Sequence, residues 1–198
     1  MARRIPTNLD FDDEARSLWQ KLNLDPASHN AGMWNPVDPI WRHPEGGGTI
    51  YVGNQTAAES MSILRQHGIT HIVNCTYGDS KIPDYHRGKL NYYNFAISHW
   101  QGFTNSTNAS ILGFAGPLFQ FINSAVSAGE SVLIHCLAGA HRAGTTGVAC
   151  LIHYAGLDVQ TAIVTAKRLR PIIDPIGQLP EFLHRLKRAE DALREGTR

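Results

Sequence analysis

Excess charge is the first thing this 198-residue chain lacks: 18 Lys and Arg stand against 17 Asp and Glu, a net charge of +1 with histidine neutral. So even a balance offers nothing to a general nucleic-acid binder or a charge-driven membrane binder, and neither nucleic acid nor membrane is expected among its partners. Cysteine is scarce too. Cys75, Cys136 and Cys150 are too few for a disulfide framework and show no metal-ligand spacing. A reducing compartment, hence a cytoplasmic location, is expected, and no metal or other cofactor. The N-terminus carries no apolar signal segment, and the longest apolar stretch, about Ile111–Phe121, reads as too short and interrupted to span a bilayer. Internal repeats and low-complexity segments are absent. The length suits one domain with a substantial core.

The most informative stretch that is present runs His135-Cys136-Leu137-Ala138-Gly139-Ala140-His141-Arg142. Before it, Val132-Leu133-Ile134 reads as a buried strand; after it, residues 144–152 can begin a packed helix. A loop running into a helix turns successive backbone N–H groups inward, and the helix N-terminus adds partial positive charge. Such a nest binds an anion the size of phosphate. Arg142 closes it with a planar, always-charged fork suited to two phosphate oxygens. Cys136 lies in a field that stabilises a thiolate. A thiolate beneath a bound phosphate can attack phosphorus and form a phosphocysteine. The bland alternative is a buried free cysteine beside an unrelated arginine.

His-Cys, five residues and Arg resembles the signature of the cysteine-dependent protein phosphatases, which usually continues with Ser or Thr; here Ala143 follows. Further segments resemble the dual-specificity branch. Thr49-Ile50-Tyr51-Val52-Gly53-Asn54 and Gly68-Ile69-Thr70-His71-Ile72-Val73-Asn74-Cys75-Thr76 look like its opening, and Arg170-Pro171-Ile172-Ile173-Asp174-Pro175 like its closing turn. The resemblance covers about residues 48–193 and identifies the chain as an atypical member. It implies a phosphorylated protein as substrate, Cys136 as nucleophile, and Leu137 to Arg142 as the phosphate-binding loop. It also implies that His135 hydrogen-bonds the loop backbone; His141 reads as a support of the loop.

Along the chain, Asp10 can cap a short helix with Phe11, Ala15, Leu18 and Leu22 on one face and acids in its first turn. A stretch with Pro26, Pro36, Pro39, Pro44 and Gly46-Gly47-Gly48 reads as irregular. Residues 1–47 are therefore an extension, a short helix plus a Pro/Gly-rich loop, ahead of a phosphatase-like domain over 48–198. Trp34 and Trp41 read as staples of that extension, or else as a partner surface. Thr56 and Glu59 suggest a capping box for a helix ending at Gly68, followed by strands at 69–75 and 90–95. A helix ending near Gly129 buries Leu118, Phe119, Ile122 and Val126, with Pro117 early in it. Asp158 caps another, and Pro180 opens the last, with Phe182, Leu183, Leu186 and Leu193 inward. Lys167-Arg168-Leu169-Arg170 and Arg185-Leu186-Lys187-Arg188 read as solvated helix faces. Strands alternating with helices predict an α/β fold: a central, mostly parallel sheet flanked by helices on both faces, cysteine-phosphatase-like by resemblance. The site then lies beyond the carboxyl end of a strand.

Two departures from the family pattern touch catalytic steps. An acid must protonate the leaving oxygen, and the family's aspartate position falls most nearly on His99. Between Tyr85 and Tyr154 the only acidic residue is Glu130, at the wrong end of its strand. Histidine can donate a proton near neutral pH, but His99 can equally just pack beside Trp100. Asp79 and Asp84 are lesser candidates on the pocket rim, with Lys81 as a substrate contact. The second departure, Ala143, removes the hydroxyl that stabilises the departing thiolate. Three readings follow: an active phosphatase of phosphoproteins, a weakly active pseudophosphatase that binds phosphorylated partners, or a phosphatase of glucan or inositol phosphates. The sequence leaves the oligomeric state open.

Overall fold

A computed structural model describes residues 9–21, 35–79 and 82–196. Helix α1 spans Phe11–Lys21, and the Asp10 carboxylate caps it, accepting from the Asp12 and Asp13 amides. Five strands follow as β1 (Val37–Arg42), β2 (Thr49–Gly53), β3 (Ile69–Asn74), β4 (Asn91–Asn94) and β5 (Ser131–His135). The remaining helices are α2 (Gln55–Glu59), α3 (Met61–Gln66), α4 (Trp100–Phe103), α5 (Asn108–Ser127), α6 (Arg142–Ala155), α7 (Val159–Leu169) and α8 (Leu179–Glu195). The sheet order is β1-β2-β5-β3-β4; β2, β5, β3 and β4 are mutually parallel, and β1 joins the edge antiparallel.

Strand periodicity divides the core. Ile50, Val52, Val73, Val132 and Ile134 point to the large layer of α5 to α8. Ile72 and Leu133 point the other way, onto Ala57, Ala58 and Leu64 of α2 and α3. Helices thus cover both faces of a mostly parallel sheet, the arrangement such strands require. Strand β5 lies at the centre and is buried throughout. Its carboxyl end therefore has neighbours on every side.

Several local expectations need correction. Residues 37–42 are not irregular but form β1, so the sheet begins inside the proposed extension. Pro39 is tolerated because β1 is an edge strand with its register broken between Pro39 and Trp41. Trp41 does act as a staple, stacking on Tyr154 with ring centroids 4.9 Å apart; Trp34 lies outside the described residues. Thr56 and Glu59 form no capping box: Asn54 caps α2, and Ser60 breaks the helix and caps α3. Helix α5 is longer than expected, which leaves Pro117 near its middle. By length and composition α5 would be able to cross a membrane, but its Ile111, Ala115, Leu118 and Ile122 are buried in the core. Leu193, expected inward, is exposed on α8. Arg170, expected on a solvated face, is fully buried.

Candidate active site

The loop after β5 is held by its carbonyls. The Gln55 N–H donates to Leu137 O (3.0 Å), the Asp174 N–H to Ala140 O (3.0 Å) and the Thr145 N–H to His141 O (2.8 Å). Arg170 fills the gap between them, donating from Nη2 to Ala138 O (3.1 Å) and from Nε to Gly139 O (3.0 Å). In a planar trans peptide each N–H points opposite to the preceding carbonyl. Fastening five carbonyls outward therefore turns the amides of Ala138 to Arg142 inward, around one concavity. Cys136 sits at its base, 3 % exposed, and accepts from the Gly139 N–H at 3.3 Å. Gly139 adopts φ +70°, and a Cβ there would lie 2.5 Å from Gly53 O, so glycine alone fits.

Arg142 opens α6, whose amino end adds its own positive potential. Its guanidinium is buried between two carboxylates: Nη1 donates to Asp79 Oδ2 at 3.2 Å, and Nη2 pairs with Asp12 Oδ1. Burial opposes that charge, but Cys136, Asp12 and Asp79 outweigh it and hold the pKa above its ordinary value. Arg142 Nε is buried with no hydrogen-bond partner among the described residues. A cradle of inward amides, a fixed guanidinium and a sulfur at the base can hold a tetrahedral oxyanion above that sulfur.

Two flanking loops bring the remaining groups. The turn after β4 is pinned by Trp100, whose Nε1 donates to Gln178 O at 3.2 Å, while Gln178 Nε2 donates to Ser98 O at 2.8 Å. That places His99 at the mouth, half exposed, with Nε2 paired to Asp79 Oδ1. Asp79, on the loop after β3, thus bridges His99 and Arg142. Across from them, His141 Nδ1 bonds Asp174 O at 2.7 Å and ties the loop to the closing turn.

The dual specificity phosphatase catalytic-domain family matches residues 50–191 of this chain. The chain belongs to that family. Mouse dual specificity protein phosphatase 19 is 29 % identical over 138 residues, covering 70 % of this chain and 57 % of that protein. Human dual specificity protein phosphatase 7 is 33 % identical over 140 residues, covering 67 % of this chain and 31 % of the relative. The chain thus matches only about a third to just over half of these relatives' length. A crystal structure of a mouse putative dual specificity phosphatase complexed with zinc tungstate has a TM-score of 0.61 at 21 % identity, covering 86 % of this chain and 96 % of that one. At that identity the likeness concerns the fold.

In this member of the family the structure gathers Cys136, Leu137 to Arg142, Asp79 and His99 into one site. Asp84 is not on the rim. It accepts from Asn74 and Asn94 and pairs with Arg87, tying β3 to β4. Lys81 lies outside the described residues. His135 is fully buried beside the loop, where its contact with the Cys136 backbone falls short of a well-formed hydrogen bond, and burial pushes its pKa down to about 4. Ala143 is buried, and among the described residues the two nearby threonine hydroxyls are committed to backbone carbonyls. Thr145 Oγ1 donates to His141 O at 2.6 Å, and Thr146 Oγ1 to Arg142 O at 2.9 Å.

Three residues escaped sequence reasoning: Arg170, its partner Asp38 (2.6 Å from Nη1), and Asp12. Arg170 was masked by its basic neighbours; a cation held directly before Pro171 in the closing turn was the usable signal.

Proposed function

We propose that this protein hydrolyses phosphate monoesters, foremost phosphotyrosine, phosphoserine and phosphothreonine in proteins, through a phosphocysteine intermediate. One observation carries the proposal: Cys136 Sγ lies beneath the inward amides of the loop whose end is closed by Arg142. The amides and guanidinium take the non-bridging oxygens, and their charge grows in value as negative charge spreads over them in the transition state. The Cys136 thiolate attacks phosphorus, the phosphorus–oxygen ester bond breaks, and the leaving oxygen takes a proton from the His99–Asp79 pair. Here His99 stores the proton and Asp79 orients it, once substrate draws Arg142 away from Asp79. Water then attacks phosphorus and gives one proton back to the His99–Asp79 pair as the sulfur–phosphorus bond breaks, and the Gly139 N–H receives the departing thiolate. A reactive thiolate needs reducing surroundings, which supports a cytoplasmic location.

A second reading, a phosphate-binding pseudophosphatase, is favoured by the commitment of Thr145 and Thr146 to backbone carbonyls. Retention of both the sulfur and the arginine in working register favours turnover. Hydrolysis of an aryl phosphate separates the two. Cys136→Ser is expected to abolish turnover while keeping oxyanion binding, and Arg142→Ala to lose both. Undiminished hydrolysis by Cys136→Ser sinks the enzymatic reading.

A further inference from the structure

The mouth of the cradle is already occupied, by the chain itself. Helix α1 lies across it. The Asp12 carboxylate pairs with Arg142 Nη2, and the Phe11 ring sits 5.7 Å from the guanidinium carbon, 4 % exposed. One turn on, Ala15 is buried against Ala138 and Ala140 of the loop, with Leu18, Leu137 and Ile172 around them. Leu9 anchors the near end on Gly177, where a Cβ would come within 2.9 Å of Leu9 Cδ2. Beside this contact remains a cavity of about 300 Å³ between Leu9, Asp10 and Phe11 on one side and Asp79, His99 and Gln178 on the other. Arg142 and Cys136 are 1 % and 3 % exposed, so a protein-bound phosphate has no route to the sulfur while α1 is in place.

We propose that α1 is an intramolecular competitor of the phosphoryl group, with Asp12 holding the place of a phosphate oxygen at Arg142 and Phe11 and Ala15 sealing the loop. The proposal rests on the cradle being the substrate site described above. A carboxylate offers one negative charge and two oxygens; a phosphate dianion offers more of both, so substrate can displace it. Asp12 competes because it is tethered, which gives it a high effective concentration. Asp13 and Glu14 share its turn and add like charge against an incoming dianion. Release is inexpensive to the fold. A helix of 11 residues is marginal in water once its apolar face is uncovered, so α1 is held mainly by this contact. Oxyanion affinity is then lowered in proportion to the docked fraction: docking for about nine-tenths of the time weakens it about tenfold.

The full chain carries the test in two variants, Asp12→Asn, which removes the charge at the same size, and Ala15→Glu, which sets a carboxylate against Ala138 and Ala140. Tungstate binding by calorimetry, done in the Cys136→Ser background, reads the cradle without turnover; kcat/KM for an aryl phosphate and a phosphopeptide reads it with turnover. Both variants are expected to bind tungstate about tenfold more tightly and to raise kcat/KM to match, with kcat nearly unchanged. If tungstate affinity rises but no form turns over, autoinhibition stands and the enzymatic reading falls. Unchanged or weaker tungstate binding in both variants, with thermal unfolding like the wild type, overturns the proposal. A large loss of kcat in Asp12→Asn also overturns it, by making Asp12 a participant in the reaction.

Discussion

At the scale of single residues, the site is governed by which polar groups have partners and which have none. His99 Nε2 and Asp79 Oδ1 are paired at the mouth. If that pair is the acid, His99→Ala should cost far more with alkyl or unactivated aryl esters than with an activated aryl phosphate, whose leaving group needs little protonation. We expect at least about a hundredfold against poor leaving groups, the usual size of general acid catalysis. Equal losses across leaving groups would reduce His99 to a packing residue. His135 is the opposite case, a fully buried imidazole that burial holds neutral. Its pKa is about 4 in the fold, against about 6.5 in an unfolded chain. Between those values the unfolded chain takes up a proton that the fold refuses. Stability is therefore full above about pH 6.5 and falls as pH drops toward 4, by up to about 3 kcal/mol. His135→Asn should flatten that acid limb in thermal melts; a variant whose melting point falls with acid as steeply as the wild type would contradict this cause.

At the scale of elements, Arg170 links α7's end to both the loop and β1. It donates to Ala138 O, Gly139 O, Asn35 O and Asp38, all from a fully buried position. Removing it leaves the Asp38 carboxylate without its ion-pair partner and two loop carbonyls without donors. Arg170→Ala should cost about 3–5 kcal/mol of stability. Restoring neutrality with Asp38→Asn beside Arg170→Met should recover part of that stability, but not oxyanion affinity, because the loop carbonyls still lack donors. Full recovery of tungstate binding in that double variant would show that the loop holds its shape without Arg170. These elements also show what a sequence can disclose. The β5 run, the Asp158 and Asp10 caps and Pro180 at the start of α8 are local signals, and each is where it was expected. Edge strand β1 was hidden because Pro39 forbids only interior strands, and edge position is a property of the whole sheet. Arg170 was hidden because burial of a cation depends on a carboxylate more than a hundred residues away.

At the scale of the molecule, the parallel strands end on one side, so loops from β2, β3, β4 and β5 meet there. The Cys136-to-Arg142 loop was legible in the sequence, since strand, small residues, arginine and helix are contiguous. The pairing of Asp79 with His99 was only half legible: both residues were candidates, but they lie on separate loops that the sheet alone brings together. The covering of the mouth by α1 was not legible, although its cap and apolar face were. An amphipathic helix discloses that it docks, not where. All of these parts serve one claim, that Cys136 carries the phosphoryl group between substrate and water. Its most direct measurement is rapid mixing with a radiolabelled aryl phosphate, acid quench, and location of the label by peptide mapping. With Ala143 leaving the thiolate short of a donor, label should accumulate on Cys136 in a burst of phenol release that precedes a slower steady rate, and Ala143→Ser should shorten its lifetime. Steady release of phenol with no label on Cys136, in the wild type and in Ala143→Ser alike, would contradict the account.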